Sequence, residues 1–133
     1  MTITLQHSYI AFDDAEAALL FYRDVLGFEV SNDVDMGDGM RWITLAPAGS
    51  PVSIVLTPVG AGESDADRET LADLLAKGVL PGVVLATDDL DGDFARIEAS
   101  GADIVQEPTD QPWGARDAAF RDPAGNMIRL AQR

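Results

Sequence analysis

Hydrophobic and polar positions along this chain form two similar runs of predicted elements. In the first run, residues 3–12 are apolar enough for a buried strand, and apolar side chains recur at helical spacing over residues 14–26. Asp13 is the predicted N-cap of that amphipathic helix, Glu16 is its capping-box partner, and Gly27 ends it. Three strands and one polar loop complete the run: strands 28–30, 40–45 and 52–57, and loop 33–39. The first run is therefore β-α-β-β-β.

The second run repeats this order about 75 residues further along the chain. Residues 83–87 are a predicted strand, and Asp88 with Asp89 supplies the cap of a second helix. Gly101 ends that helix, and a strand at residues 104–105 leads into a Pro-rich loop. Self-similarity at a fixed spacing predicts an internal repeat of one structural unit.

The clearest local signal is the turn near the end of the chain. Asp122, Pro123, Gly125 and Asn126 are turn residues, since proline presets φ, glycine accepts positive φ, and Asp and Asn bond to nearby backbone. Apolar residues flank the turn, so residues 111–131 are predicted to hold a β-hairpin. A hairpin of this size needs a sheet and a covering helix to be stable in water.

A helical segment connects the two runs. Ser64 or Asp65 can cap a helix that runs to about Lys77, with Gly78 closing it. We therefore predict a first βαβββ module over residues 1–59, a helical connector over 60–78 and a second module over 79–133. The fold class is α+β: each module buries one sheet face under its helix, and the other faces form a curved mixed sheet around a cleft.

Composition limits the classes of function. The chain has 133 residues, 47% of them apolar, which suffices for a core, and it has no cysteine for a disulfide or a thiolate. Its formal net charge of −14, from 23 acidic and 9 basic residues, argues against binding to nucleic acid or to anionic membranes. The same charge is compatible with a cationic ligand. No signal peptide or membrane-length apolar run is present, so we expect a soluble cytoplasmic protein.

Several motifs resemble the vicinal oxygen chelate superfamily, which includes glyoxalase I, bleomycin-resistance proteins and extradiol dioxygenases. In chain order they are HSYI at 7–10, FYRDVLGF at 21–28, DDLD at 88–91, QPWG at 111–114 followed by Arg116, and FRDPAGN at 120–126. The resemblance implies two βαβββ modules around a cleft, and it implies a homodimer.

Metal-dependent members of this superfamily take two metal ligands from each module. The resemblance assigns these positions to His7, Val55 (or Ile54 if the register shifts), Gly82 and Arg129. Among these, only histidine is a metal-ligand type, because valine and glycine have no side-chain donor and arginine is a cation. The sequence therefore predicts no metal site and no cofactor.

Three of the predicted ligand contacts are aromatic. His7, the only histidine, stands where the superfamily turns a side chain into the cleft, so it would hydrogen-bond a ligand or act as a base; otherwise it is a structural strand residue. Trp113, in the QPWG motif, and Trp42, in the third predicted strand, would stack on a planar or cationic ligand. The alternative for both tryptophans is packing in the core or at the rim.

The two other predicted contacts are arginines. Arg129 alternates with Ile128 and Leu130, whose burial under the helix directs Arg129 toward the cleft. There it favours an anionic or carbonyl group on the ligand, unless it forms a salt bridge with one of the many acidic residues. Arg116 has the same two interpretations.

The leading interpretation is a glyoxalase/bleomycin-resistance-like protein that binds a small organic molecule between its modules, without metal, in a sequestration or resistance role. The alternative is a metal-dependent lyase, isomerase or dioxygenase of the same superfamily, with His7 as its catalytic residue. A third interpretation is a regulatory protein whose cleft is vestigial. In each case the expected partners are a small molecule and a second copy of the chain, not nucleic acid or membrane.

Overall fold

The computed structural model describes residues 2–133 of the chain, so Met1, the first residue of the predicted first module, lies outside the described residues. The chain divides into two compact units, Met1–Ala72 and Asp73–Arg133, and the division falls within one helix, α2 (Asp65–Ala76). Ser64 Oγ accepts a hydrogen bond from the Asp67 backbone N–H at the start of α2. Among the described residues, no helix has both the length and the apolar composition needed to cross a membrane.

The first unit contains one helix and a four-stranded mixed sheet before α2. Its elements are β1 (His7–Phe12), α1 (Ala15–Leu19), a π-helical continuation (Leu20–Val25), β2 (Glu29–Asp35), β3 (Arg41–Ala46) and β4 (Ser53–Pro58). The strand order is β1-β4-β3-β2, with β1 and β4 parallel and the other neighbours antiparallel. Alternation along β3 buries Ile43 and Leu45 completely on one face, so Trp42 and Thr44 lie on the other.

The first helix ends before Gly27 as predicted, but its N-cap and the hydrogen-bond pattern of its second half differ from the prediction. Its N-cap is Asp14, not Asp13: Asp14 Oδ1 accepts the backbone N–H groups of Glu16 and Ala17 at 3.0 and 3.3 Å. Past Leu19 the backbone hydrogen bonds change to the i→i−5 pattern of a π-helix, as in the 2.9 Å bond from Leu26 N–H to Phe21 O. The wider turn changes which side chains face inward, so Phe21 is buried although the helical spacing did not predict it.

The second unit has the same architecture. Its elements are β5 (Val84–Thr87), α3 (Leu90–Ala99), β6 (Asp103–Asp110), β7 (Arg116–Arg121) and β8 (Met127–Gln132). The strand order β5-β8-β7-β6 corresponds to that of the first sheet. α3 is capped by Asp89 Oδ1, contacts β6, β7 and β8, and buries Leu90, Phe94 and Ile97. The predicted α+β fold class, with two four-stranded mixed sheets of the glyoxalase type, is confirmed.

The predicted hairpin is β7 and β8, and one carboxylate organises its turn. Asp122 is buried, and its Oδ1 accepts the backbone N–H groups of Ala124, Gly125 and Asn126 at 3.1, 3.0 and 2.9 Å. Its Oδ2 accepts the Asn126 side-chain amide at 2.8 Å. Gly125 has φ of 116°, which only glycine adopts without strain.

The predicted bounds of three strands, β1, β2 and β6, were wrong. β1 begins at His7 rather than at residue 3, and β2 extends to Asp35 through residues predicted as a polar loop. β6 runs to Asp110 rather than ending at residue 105, and it contains Pro108. Two register shifts in β6 leave the proline out of the ladder, and β6 is an edge strand, where proline is tolerated. A polar edge strand shows no hydrophobic alternation, so its length is not evident from the pattern.

Candidate functional site

A pocket of about 350 Å³ lies against the face of the first sheet that carries Trp42 and Thr44. Three rings, those of His7, Tyr9 and Trp42, belong to its lining. The His7 and Tyr9 ring centroids are 5.4 Å apart with the planes at 82°, and those of Tyr9 and Trp42 are 6.0 Å apart at 85°. Both contacts are edge-to-face, the arrangement that aromatic quadrupoles favour. The rings therefore form a continuous aromatic wall.

The rest of the pocket lining is mainly apolar. Val34, Met36 and Val55 contribute apolar surface, and Asn32 and Thr44 are the polar members. Among the described residues that line the pocket, none is Asp, Glu, Lys or Arg. Although the chain has 23 acidic residues, none of them is in this lining. The pocket therefore suits an uncharged or weakly polar surface of a ligand.

The indole N–H of Trp42 has an unusual environment. Its Nε1 is buried and has no hydrogen-bond partner among residues 2–133. A buried donor without an acceptor destabilises the folded state by about 1–3 kcal/mol. Such groups are uncommon in native proteins, and they call for a specific explanation at the site where they occur.

The structure brings together the predicted site residues of the first unit. His7 and Trp42 line one pocket, and Val55, the second position implied by the resemblance, lines it as well. Val55 rather than Ile54 takes this place because Tyr9 and Thr44 both pair with Val55 across the ladders. Ile54 faces the opposite side with the buried core.

Arg129 in the second unit belongs to a polar network centred on a buried carboxylate. Arg129 Nη1 donates to Asp117 Oδ2 at 3.0 Å, and Asp117 is only 6% exposed. Asp117 Oδ1 also accepts the side-chain amides of Gln111 at 2.8 Å and Gln106 at 3.2 Å. Three donors from three separate segments therefore fix this carboxylate.

These contacts determine the charge state of Asp117. Burial by itself raises the pKa of the carboxyl group, because it disfavours the ionised form. The amide hydrogen bonds from Gln111 and Gln106, together with the positive charge and hydrogen bond of Arg129, outweigh burial and lower the pKa below its usual value. Asp117 is therefore ionised at neutral pH.

Arg116 lies on the helix side of the second sheet, in register with the core residues Ala118 and Phe120. Its Nη2 donates to Asp91 on α3 at 3.1 Å, and its Nη1 is 3.5 Å from Asp110. These acidic partners raise the pKa of Arg116, the Asp91 hydrogen bond most strongly. Arg116 is thus on the sheet face opposite to Arg129.

An equivalent ion pair in the first unit shows what the Arg116 contacts do. Arg41 donates to Glu16 on α1 at 2.6 Å and to Asp33 on the edge strand at 2.8 Å. Arg41 and Arg116 both begin the third strand of their sheets, and each joins that strand to the first turn of the helix. The repeated contact indicates a structural role for both arginines.

Trp113 lies in a tight loop between β6 and β7. The Gln111 N–H donates to Ala115 O at 2.7 Å, and the Gly114 N–H donates to Gln111 O at 3.0 Å. The Trp113 side chain is 71% exposed, so it does not belong to a core. An exposed indole on a hydrogen-bonded loop can stack on a ligand or a partner.

The four positions that the resemblance assigns to metal ligands carry side chains that do not make a donor set for a divalent metal. His7 is accompanied by Val55 in the first unit, and Arg129 donates to Asp117 in the second. At Gly82 an added Cβ would lie 2.0 Å from the Met127 carbonyl oxygen, so no side chain fits there without backbone movement. Within residues 2–133, no three His, Cys, Asp or Glu side chains form a group suited to a metal ion.

Sequence reasoning missed Tyr9 and the partners of Arg129. Tyr9 was detectable in principle, because it lies two residues after His7 on the same strand face. Asp117 pairs with Ala131 beside Arg129, but its buried contacts with Gln106 and Gln111 depend on the register shifts in β6. Irregular strands leave no periodic signal, so these partners were not evident from the sequence.

Comparison with known proteins identifies the family. The model of the Glyoxalase/Bleomycin resistance protein/Dioxygenase superfamily matches residues 4–130. The uncharacterized protein YurT of Bacillus subtilis (strain 168) is 31% identical, with 93% of this chain and 94% of YurT covered. Among solved structures, UcmS2 is 36% identical with a TM-score of 0.89 and full coverage of both chains.

A second similar structure is TnmS3, an antibiotic binding protein from Streptomyces sp. CB03234. It is 34% identical to this chain, with a TM-score of 0.77 and coverage of 99% of this chain and 98% of TnmS3. The family match extends over nearly the whole chain and agrees with the two-module fold. The chain therefore belongs to the Glyoxalase/Bleomycin resistance protein/Dioxygenase superfamily.

Proposed function

We propose that this protein binds a small organic molecule with a flat ring system, without a metal and without breaking a bond. The observation that carries the proposal is the aromatic wall of His7, Tyr9 and Trp42 in the pocket of the first unit. The biological role would be sequestration of, or resistance to, a toxic compound. The similarity to TnmS3, an antibiotic binding protein, supports this role.

Stacking and burial would supply the binding energy. The pocket volume of about 350 Å³ is in the range of small-molecule sites. A flat ligand against the aromatic wall would gain about 25 cal/mol for each Å² of apolar surface buried. Each well-placed aromatic contact adds about 0.5–1.5 kcal/mol. These terms need no charged group or metal on the protein.

The net charge of the protein and the buried indole N–H of Trp42 limit the chemical class of the ligand further. The net charge of −14 disfavours anions at long range, so the part of the ligand that enters this pocket is neutral or cationic. The unpartnered Trp42 N–H would be satisfied by an acceptor on the ligand if the indole turned toward the pocket on binding. An aromatic carbonyl or ether oxygen has the required chemistry.

The metal-free character of the site is part of this proposal. The donor types at His7, Val55, Gly82 and Arg129 support it, because one imidazole alone does not hold a divalent ion firmly. We also propose a homodimer, which size-exclusion chromatography with light scattering would detect as twice the mass of 14.2 kDa. A cytoplasmic location stays a prediction from the sequence.

The two tryptophans provide a direct test of the pocket. The variant Trp113→Phe leaves Trp42 as its only tryptophan, and the variant Trp42→Phe leaves only the exposed Trp113. Each variant would be titrated with bleomycin, a glycopeptide, and with a panel of planar polycyclic antibiotics, following tryptophan fluorescence and binding heat. Trp113→Phe should show saturable quenching with at least one compound.

The matched variant separates pocket binding from surface contact. We expect Trp42→Phe to bind the same compound at least about tenfold more weakly, a loss of about 1.4 kcal/mol. Equal affinity in both variants, or no saturable response from Trp42 with any compound class, would contradict the proposed pocket.

A further inference from the structure

Arg129 differs from the other arginines of the described residues in the carboxylate that it contacts. The other arginines pair with acidic side chains that are at least 36% exposed. Asp117, the partner of Arg129, has a side chain that is only 8% exposed. An exposed ion pair is loosely held, whereas a buried and fully bonded carboxylate keeps its partner in one orientation.

The Asp117 carboxylate accepts hydrogen bonds from the side chains of Gln106, Gln111 and Arg129. Gln106 Nε2 donates to both the backbone oxygen and Oδ1 of Asp117 at 3.2 Å. Gln111 Nε2 donates to the same Oδ1 at 2.8 Å, and Arg129 uses only Nη1, which donates to Oδ2. Asp117 therefore receives four hydrogen bonds from side chains, and its carboxylate engages only one of the three guanidinium nitrogens of Arg129.

The remaining edge of the Arg129 guanidinium is available. Its side chain is 39% exposed, and within residues 2–133 the guanidinium makes no other hydrogen bond. The Nε–H and an Nη2–H of a guanidinium point in parallel, which matches the two oxygens of a carboxylate. Arg129 thus offers an oriented two-donor edge to solvent.

The internal repeat gives a second, independent indication of a ligand position. In the first sheet, Asn32 pairs with Thr44 and Thr44 pairs with Val55, and all three line the pocket. In the second sheet, Gln106 pairs with Ala119 and Ala119 pairs with Arg129, after the same kind of register shift. Arg129 therefore occupies in its own sheet the register position that Val55 occupies beside the pocket.

We propose that Arg129 forms a second binding position, in the second unit, for the carboxylate of a small organic acid. The free Nε–H and Nη2–H edge would hold the two carboxylate oxygens, while Nη1 stays bonded to Asp117. Only residues of the second unit form this position. The two repeats thus carry different recognition chemistry: an apolar aromatic surface in the first and an oriented cation in the second.

The test uses benzoate and its uncharged analogue benzamide. A ¹H–¹⁵N spectrum that includes arginine Nε–H and indole Nε1–H signals reports on Arg129 and Trp42 separately. Benzoate should shift the Arg129 Nε–H signal in a saturable way, and benzamide at the same concentrations should not. Arg129→Gln should weaken benzoate binding at least tenfold. Arg129→Lys should restore only part of the affinity, because lysine keeps the positive charge but lacks the two parallel N–H donors.

The control variant is Arg96→Gln, which removes an arginine that pairs with Asp93 on the surface of α3. It should leave benzoate binding unchanged. If benzoate binds Arg129→Gln as well as it binds the wild type, or if Arg96→Gln weakens it equally, the binding is adventitious and the proposal is overturned. A planar antibiotic that shifts the Trp42 indole signal would support the first-unit pocket whatever the result at Arg129.

Discussion

At the scale of single residues, the pocket combines favourable ring contacts with one costly group. Trp42 contributes an edge-to-face contact with Tyr9, yet its indole N–H is buried without an acceptor among the described residues. A ring that served only to fill space would be less costly as phenylalanine, which has no N–H to satisfy. The choice of tryptophan is therefore consistent with a binding role.

His7 is predicted to contribute through its ring and not through chemistry. His7→Ala removes the 5.4 Å contact with Tyr9, so we expect ligand affinity to fall by roughly threefold to tenfold. His7→Phe keeps a ring and should recover most of the affinity. Calorimetry with a ligand found in the fluorescence screen measures both changes. If the loss in His7→Ala were complete and phenylalanine did not rescue it, His7 would have an essential chemical role instead.

Asp117 is predicted to stabilise the fold at neutral pH and to lose that effect in acid. Because its pKa is lowered in the folded state, its contribution is present above the unfolded value of about 3.9 and disappears as the pH falls through the folded value. Asp117→Asn should lower the free energy of unfolding by about 1–3 kcal/mol at pH 7. Urea unfolding of both proteins should show this difference shrinking below about pH 4.

The exposed residue Asp110 provides the control for that measurement. Its side chain is 84% exposed and lies 3.5 Å from Arg116, so Asp110→Asn should change stability by less than about 1 kcal/mol. An Asp117→Asn difference that stayed constant from neutral pH into acid would show that the ionised carboxylate does not stabilise the fold.

At the scale of elements, local signals in the sequence predicted the helix ends and the turn, except that Asp14 rather than Asp13 caps the first helix. Gly27 and Gly101 end their helices at φ of 80° and 89°, and Asp122 bonds the turn between β7 and β8 as expected. These features depend on residues close in sequence, so composition and spacing suffice to find them. The π-helical continuation and the length of β6 depend on tertiary contacts and register shifts, and the pattern did not contain them.

Gly82 shows how packing of an element constrains the site. An alanine Cβ there would lie 2.0 Å from Met127 O, where β5 approaches β8. Gly82→Ala should lower the free energy of unfolding by about 1–3 kcal/mol, since the backbone must move to relieve the overlap. Val84→Ala, at a 70% exposed position of β5, should change it by less than about 0.5 kcal/mol. Chemical denaturation compares the two variants. An equally mild effect of both would show that the backbone at Gly82 does not pack closely against Met127 O.

At the scale of the whole molecule, the internal repeat explains what the sequence could and could not predict about the site. The fold class follows from two β-α-β-β-β patterns at a spacing of about 75 residues, which the paired registers reproduce. Alternation in β3 also separates Trp42 from the buried Ile43 and Leu45. The contact between Tyr9 and Trp42 lies across two strand pairings, however, so only the folded sheet brings these rings together.

Membership of the superfamily does not determine the chemistry of this chain. The superfamily includes metal-dependent enzymes and binding proteins, and both use the same fold. In this chain the positions that the resemblance assigns to metal ligands carry a histidine, a valine, a glycine and an arginine. At Gly82 no side chain fits without backbone movement, and Arg129 donates a hydrogen bond to Asp117. These residue types support the proposal that the protein binds a ligand without a metal.

The most direct test of the account is the dependence of ligand affinity on metal. The protein would be purified, treated with a chelator and assayed for metal content, and then titrated with the ligand found for Trp42, alone and after addition of nickel, zinc, iron or manganese. We predict the same dissociation constant in every case, with the ligand recovered chemically unchanged. Stoichiometric metal that is required for binding would contradict metal-free binding. Conversion of the ligand once metal is added would contradict it too and would establish a metal-dependent enzyme.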